Sequence, residues 1–298
     1  MSSKYAPSHA SPKGPGDSHP TALQIIADES LTSKLQDKAL SDILAPSSVE
    51  LLHLDLESLN SVRSCVEVLK RKTDRLNVLI NNVGVRRTPE AKTKDGFETQ
   101  FGTNHVAHFL LFQLLKPMLL TSSSPEFNSR VVVLSSSAHR EARLDFNDLN
   151  MTKRGYNPSI AYAQSKLANL YMASEIDRRY GAKSLHAWSV DPGGILTGLQ
   201  RPNFKDVVVT LKTGLKKVLR FMQNAEQGAS TTVWAAVSKE LEGKGGKYLE
   251  RCSVSEPVMD GFGILDPGHA LFAYDEADAK RCWEVTMEMV GLKEAAEV

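Results

Sequence analysis

Arg130-Val131-Val132-Val133-Leu134-Ser135-Ser136-Ser137 is the stretch on which the fold turns. A short apolar, β-branched run reads as a strand buried on both faces, and three hydroxyl residues end it. Similar runs stand at Val49 to Leu54, Leu76 to Ile80 and Leu185 to Val190, and segments of helical period separate them. Between the first two, Leu59, Val62, Val66 and Leu69 recur every three or four residues behind Ser58, a suitable N-cap. Phe97 to Leu115 reads as a second helix, apolar on most of its circumference in its latter half. Such a helix needs cover on both sides, from the sheet and from a second subunit, so a homodimer is expected. Ala161 to Tyr180 reads as a third helix, and Asp191-Pro192-Gly193-Gly194 ends the last expected strand. Strands alternating with helices indicate an α/β protein with a parallel sheet covered on both faces.

Composition narrows the function. In 298 residues, 36 Lys+Arg stand against 35 Asp+Glu, a net charge of +1. That balance excludes the basic surface a nucleic-acid binder needs to offset phosphate charge. Cys65, Cys252 and Cys282 are odd in number and without CxxC spacing, which suggests neither a disulfide framework nor a thiolate zinc site. The longest apolar stretch, Val106 to Leu120, is interrupted by His108, Gln113, Lys116 and Pro117, well short of the ~20 residues that span a bilayer. With no apolar core of a signal peptide at the N-terminus, a soluble, cytoplasmic chain is expected. Residues 1–21 hold five serines and four prolines and are expected to be a flexible lead-in to a single domain over 22–298.

The strongest chemical signal is Tyr162-Ala163-Gln164-Ser165-Lys166. Residues at i and i+4 share a helix face, so the ammonium of Lys166 can lie near the phenol of Tyr162 and favour its ionised form. A tyrosine with its ordinary pKa near ~10 is a poor acid or base at neutral pH, and a neighbouring cation moves it toward the working range. Alone, the pair would be a common surface feature. Its company gives it meaning: Ser135 to Ser137, Asn81-Asn82-Val83-Gly84 and Asp55 each follow an expected strand, at the sheet edge where open α/β sheets bind ligands. Asn104, inside a mostly apolar helix, needs a buried partner or a water.

Five stretches, LNVLINNVG (76–84), DGFETQFGTNHVAHFLL (95–111), SRVVVLSSSAH (129–139), AYAQSKLAN (161–169) and DPGGILT (191–197), resemble in order the motifs of the short-chain dehydrogenases/reductases, above all their retinol-dehydrogenase-like and fungal members. The resemblance implies a Rossmann-type, doubly wound parallel sheet and a carbonyl/alcohol oxidoreductase acting on a small apolar molecule. It implies NADP(H) as cofactor, with NAD(H) as the alternative, no metal, and a place in fungal secondary metabolism. By the same resemblance Asn104, Ser136, Tyr162 and Lys166 stand in the places of the catalytic tetrad. Tyr162 would pass a proton to or from the substrate oxygen and Ser136 would hydrogen-bond that oxygen. Lys166 would depress the Tyr162 pKa and grip the nicotinamide ribose, and Asn104 would hold a proton-relaying water. Asp55 would contact the adenine, Asn81 to Gly84 would line the cofactor groove, and Ile195 and Thr197 would close over the nicotinamide carboxamide.

One departure from the family pattern is large. The opening strand, its glycine-rich turn of the form TGxxxGxG, the following helix and the second strand have no counterpart, and no GxxxGxG occurs anywhere. The gap falls near Leu35 and Gln36, so the first βαβ unit is expected to be missing. That turn supplies the close backbone approach and helix N-terminus that hold a pyrophosphate. Its strand is the centre of the sheet, and losing it leaves strand edges unpaired or forces the Asp55 strand onto a new neighbour. Val83 for the usual alanine and Asp191 for a common histidine are smaller departures.

A serine hydrolase lacks the GxSxG its strained nucleophile turn requires. His105 and His108 could face a metal, but without a supporting third ligand they read as a buried structural pair. A non-catalytic member of the same fold, kept as a binding or assembly protein, is favoured by the missing turn and opposed by the intact set of four polar residues.

Overall fold

A computed structural model describes residues 4–5, 21, 24–25, 50–195, 222–263 and 266–293. The chain forms α1 (Leu59–Lys72), β1 (Val78–Asn81), a helical turn (Thr99–Phe101) that runs through a π-turn (Gly102–Val106) into α2 (Ala107–Ser122), and β2 (Ser129–Leu134). After a 3-10 turn (Ser137–Glu141) come α3 (Pro158–Tyr180), β3 (Leu185–Asp191), β4 (Gly194–Ile195) and β5 (Met222–Gln223). The remainder holds α4 (Ser230–Val237), β6 (Lys247–Glu250), β7 (Ser253–Val254) and α5 (Glu276–Met289). One described sheet has the order β1-β2-β3-β6-β7, parallel until β7, which returns antiparallel to β6.

Local signals explain the helices. The Ser58 hydroxyl accepts from the N–H of Ser61 to start α1, and Lys70, Arg71 and Lys72 sit in its last turn, where the helix dipole favours cations. Asn157 caps α3 by accepting from Ser159 and Ile160, with Pro158 in the first turn, where its missing N–H costs nothing.

Period-two burial along the strands divides the core into two. Val131 and Val133 of β2, with Leu185 and Ala187 of β3, face a large cluster built on α1, α2, α3 and α5. Val132 and Leu134, with Trp188 and Val190, face a smaller one that holds Trp234 and Ala235 of α4. Helices thus cover both faces of a mostly parallel sheet, the doubly wound arrangement that the alternation of runs implied.

Several expectations are corrected. Residues 50–55 form no strand, and the side chain of Leu51 is 93% exposed. An apolar run becomes a strand only against a neighbour, and among the described residues none is offered to it. Among the described residues β1 is consequently the last strand on its side, with Ile80 41% exposed. The strand ending at Asp191 is not the last, since β6 and β7 follow. The second helix continues to Ser122 through Pro117 and contains a π-turn. Cover for α2 comes from within the chain: Phe109 and Phe112 meet the Trp283 ring of α5, with centroids 4.8 and 6.2 Å away. That helix therefore does not by itself call for a second subunit. No described helix is long and apolar enough to cross a membrane. The lead-in, apart from Lys4, Tyr5 and Thr21, lies outside the described residues, as do the Leu35/Gln36 junction, Thr197 and residues 199–221.

Candidate active site

Four elements converge at the carboxyl ends of β1 and β2. The loop after β1 brings Gly84, the π-turn brings Asn104, the end of β2 brings Ser136, and α3 brings Tyr162 and Lys166 one turn apart. Gly84 is where they meet: a Cβ there would stand 3.2 Å from Oδ1 of Asn104 and 3.5 Å from Nζ of Lys166. A single wide turn in the long helix accounts for the position of Asn104, and such turns concentrate at functional sites. Gly102 opens that turn because a Cβ would come within 2.6 Å of Thr93 Cγ2.

Asn104 is fully engaged. Its Oδ1 accepts from the N–H of Val85 (2.8 Å), and its Nδ2 donates to the Val85 carbonyl (2.9 Å) and to Ser165 Oγ (2.9 Å). Ser165 donates in turn to the Tyr162 carbonyl at 2.8 Å. The Asn104 carbonyl accepts from Nδ1 of His108 at 2.9 Å. The asparagine therefore ties the glycine loop to the helix that carries the tyrosine.

Lys166 is buried and points its Nζ at the Leu134 carbonyl, 3.0 Å away, while standing 5.6 Å from the centre of the Tyr162 ring. Burial lowers its pKa to about 8, opposed by the charge of Asp191. Burial raises that of Tyr162 to about 12, against the lowering effects of Arg86 and of a hydrogen bond with Ser136. A second cation bears on the phenol as well: Arg86, whose Cζ lies 5.5 Å from the ring centre, favours its ionised form. The helix spacing places Lys166 on the right face, but the carbonyl ending β2 captures its ammonium.

Ser136 is the N-cap of the 3-10 turn, its Oγ accepting from the N–H of Ala138 at 3.2 Å. Its carbonyl accepts from Nδ1 of His139 at 2.7 Å, and Nε2 of that ring accepts from the N–H of Ala270 at 3.1 Å. Asp191 braces the same turn, accepting from the N–H of Ser137 (3.0 Å) and the hydroxyl of Tyr248 (3.3 Å). A cavity of about 570 Å³ opens beside the start of α3, lined in part by Arg143, Asp145, Asn157 and Ile160, and none of the four candidate residues lines it.

The remaining expected residues are scattered. Asn81 is buried at the end of β1 with both side-chain polar atoms unpartnered. Asp55 lies before α1, its carboxylate occupied by Lys94 at 2.6 Å and by the N–H of Glu57 at 3.0 Å, which hold its pKa down. Ile195 fills the space over Gly228, where a Cβ would come within 2.0 Å of it. His105 is held between Asn169 and Thr286, and burial takes both His105 and His108 down to about 4, so both are neutral at pH 7. Sequence reading passed over Arg86, Ser165 and His139; only the spacing of Ser165, three residues after Tyr162, offered a signal.

The short chain dehydrogenase family pattern matches residues 25–208. A short-chain dehydrogenase/reductase, prx1, of Penicillium roqueforti is 38% identical over 330 positions, covering 98% of this chain and 96% of its own. The chain belongs to the short-chain dehydrogenase/reductase family. Human polyprenol dehydrogenase is 40% identical over 281 positions, covering 93% of this chain and 76% of that one. Among solved structures, an uncharacterized protein of Mycobacterium paratuberculosis superimposes with a TM-score of 0.61 at 30% identity, covering 92% and 91% of the two chains. The alignment with the Penicillium reductase runs over 330 positions, more than the 298 residues here, so at least 32 residues of that relative have no counterpart in this family member.

Proposed function

We propose that residues 22–298 act as one domain that transfers hydride between NADP(H) and a carbonyl/alcohol on a small, largely apolar molecule. One observation carries this reading: Gly84, Asn104, Ser136, Tyr162 and Lys166, from four separate stretches of sequence, share one corner at the carboxyl ends of β1 and β2. The residues fit the nicotinamide half of the cofactor. Gly84 leaves open the space a Cβ would fill beside Lys166, and the buried Nζ spends only one bond on Leu134, keeping donors for ribose hydroxyls. For the pyrophosphate half the chain has no glycine-rich turn.

When bound, the reduced nicotinamide supplies the hydride. The protein's part is proton and charge management. With its pKa near 12 the Tyr162 phenol holds its proton at neutral pH, ready to donate to a carbonyl oxygen that becomes an alkoxide. Ser136 stabilises that oxygen with its hydroxyl. In the oxidative direction Tyr162 must first lose its proton, which Arg86 nearby favours, and so would Lys166 once its ammonium leaves Leu134. NADP in preference to NAD, and a role in fungal secondary metabolism, rest on the motif resemblance alone.

Titration with NADPH, following the fluorescence of Trp188, Trp234 and Trp283 and with circular dichroism as the folding check, tests the reading. Micromolar binding by the folded chain supports an enzyme whose remaining groove suffices. No binding favours the second reading, a non-catalytic binding protein, to which the missing turn points. Inserting a glycine-rich strand-helix-strand segment at the Leu35/Gln36 junction then separates a shortened enzyme, which regains binding, from one that abandoned catalysis.

A further inference from the structure

Arg86 stands out among the charged residues near this corner. Its neighbours are fixed: Asn104 holds both the N–H and the carbonyl of Val85, and Gln100 Oε1 accepts from the N–H of Arg87 at 2.7 Å. Arg87 adopts φ 49°, in the left-handed region that a side chain with a Cβ enters only at a cost. The strained, clamped backbone aims the half-buried guanidinium of Arg86 over the face of Tyr162. There it forms no hydrogen bond or ion pair with any described residue.

The nearby described charges do not neutralise it. Asp191 is taken by Ser137, Gly193 and Tyr248, and Glu98 by the N–H groups of Gln100 and Phe101. Glu141 bears on the tyrosine from a distance without pairing with the guanidinium. A planar fork of donors held without an acidic partner beside a proton donor is suited to a carboxylate, which it can grip through two parallel bonds.

We propose that Arg86 is a substrate subsite for a carboxylate close to the reacting carbonyl, so that the substrates are oxo acids, or the matching hydroxy acids, and not wholly apolar carbonyls. This deepens the oxidoreductase reading and rests on it for the reaction but not for the binding. The reaction itself balances as before: hydride adds to the carbonyl carbon, the Tyr162 proton goes to its oxygen, and the carboxylate is unchanged.

The test pairs aryl and alkyl 2-oxo acids with their methyl esters, measuring NADPH oxidation and, by calorimetry, equilibrium binding, for the wild-type chain, Arg86→Gln and Arg86→Lys. A charge-assisted pair predicts an acid-over-ester preference of about 10- to 100-fold that collapses toward unity in Arg86→Gln and is partly kept in Arg86→Lys. Equal handling of acid and ester, a preference that survives Arg86→Gln, or binding of neither probe overturns the subsite. If Arg86 only tunes Tyr162, both members of each pair slow together and the ratio does not move, which also overturns it. Arg86-dependent binding of acids without turnover upholds the subsite and removes the oxidoreductase reading. Turnover of esters without acid preference does the reverse.

Discussion

The corner where β2 meets α3 and the edge where β1 ends contain similar residue types and have opposite fates. In the corner every polar group of Asn104, Ser165, Lys166 and Asn169 that faces inward has a partner, and the apolar residues around them are buried. At the edge both side-chain polar atoms of Asn81 are buried without partners, Ile80 and Val83 are exposed, and residues 50–55 join no described strand. The difference follows from where each finds its neighbours. The corner is built chiefly from residues 76–191, whereas the edge finds no further strand beside β1 among the described residues. A fold of this kind can thus keep the corner that holds the candidate residues in order while its other edge is less well satisfied.

Removing the corner's central hydroxyl is the severest challenge to that contrast. Tyr162→Phe is expected to lower turnover about 10²- to 10⁴-fold with an unchanged circular dichroism spectrum, because that is what general acid catalysis contributes and no described group replaces it. Unchanged turnover would remove the proposed mechanism.

Acid should attack the corner first. His105, His108 and His139 have folded pKa values of about 4, against 6.5 unfolded, all because burial disfavours the charged ring. Between those values the unfolded chain binds more protons, so stability rises with pH and is lost as the pH falls from 6.5 toward 4. Each ring contributes up to about 3 kcal/mol over that window. Melting temperatures measured between pH 4.5 and 7.5 should fall steeply on the acid side, and a flat profile would show that the rings are not buried as described.

Two truncations compare the regions directly. Leu167→Ala, in the buried face of α3, should cost about 2–5 kcal/mol in chemical denaturation. Leu51→Ala, at a 93% exposed position, should change stability by less than about 0.5 kcal/mol. A large loss at Leu51 would mean that the segment before Asp55 is paired after all.

Much of this was readable in the residues because the signals were local. Ser58 and the Leu59, Val62, Val66 and Leu69 stripe are α1, and the valine run before Ser135 is β2. Candidate residues were readable one by one, since each ends a strand or shares a helix turn. What could not be read was relational. The run before Asp55 has a strand's composition but no strand partner among the described residues, which no local pattern records. β6, Lys-Tyr-Leu-Glu, is too short and too polar at its ends to announce itself, and takes its form from pairing with β3. Lys166 was placed on the correct face, yet which acceptor would win its ammonium depended on the carbonyl of Leu134. Arg86 owes its position to a π-turn and a strained backbone that no spacing rule describes.

His139 joins parts of the chain that are made far apart in time. Its ring links the carbonyl of Ser136 to the N–H of Ala270, 131 residues later. On a ribosome, the serine would be synthesised and its strand formed well before the residue that steadies it had left the exit tunnel. The turn that carries Ser136 is therefore anchored late, when the segment around Ala270 docks, and a nascent or C-terminally cut chain would carry all four candidate residues while lacking the contact that steadies one of them.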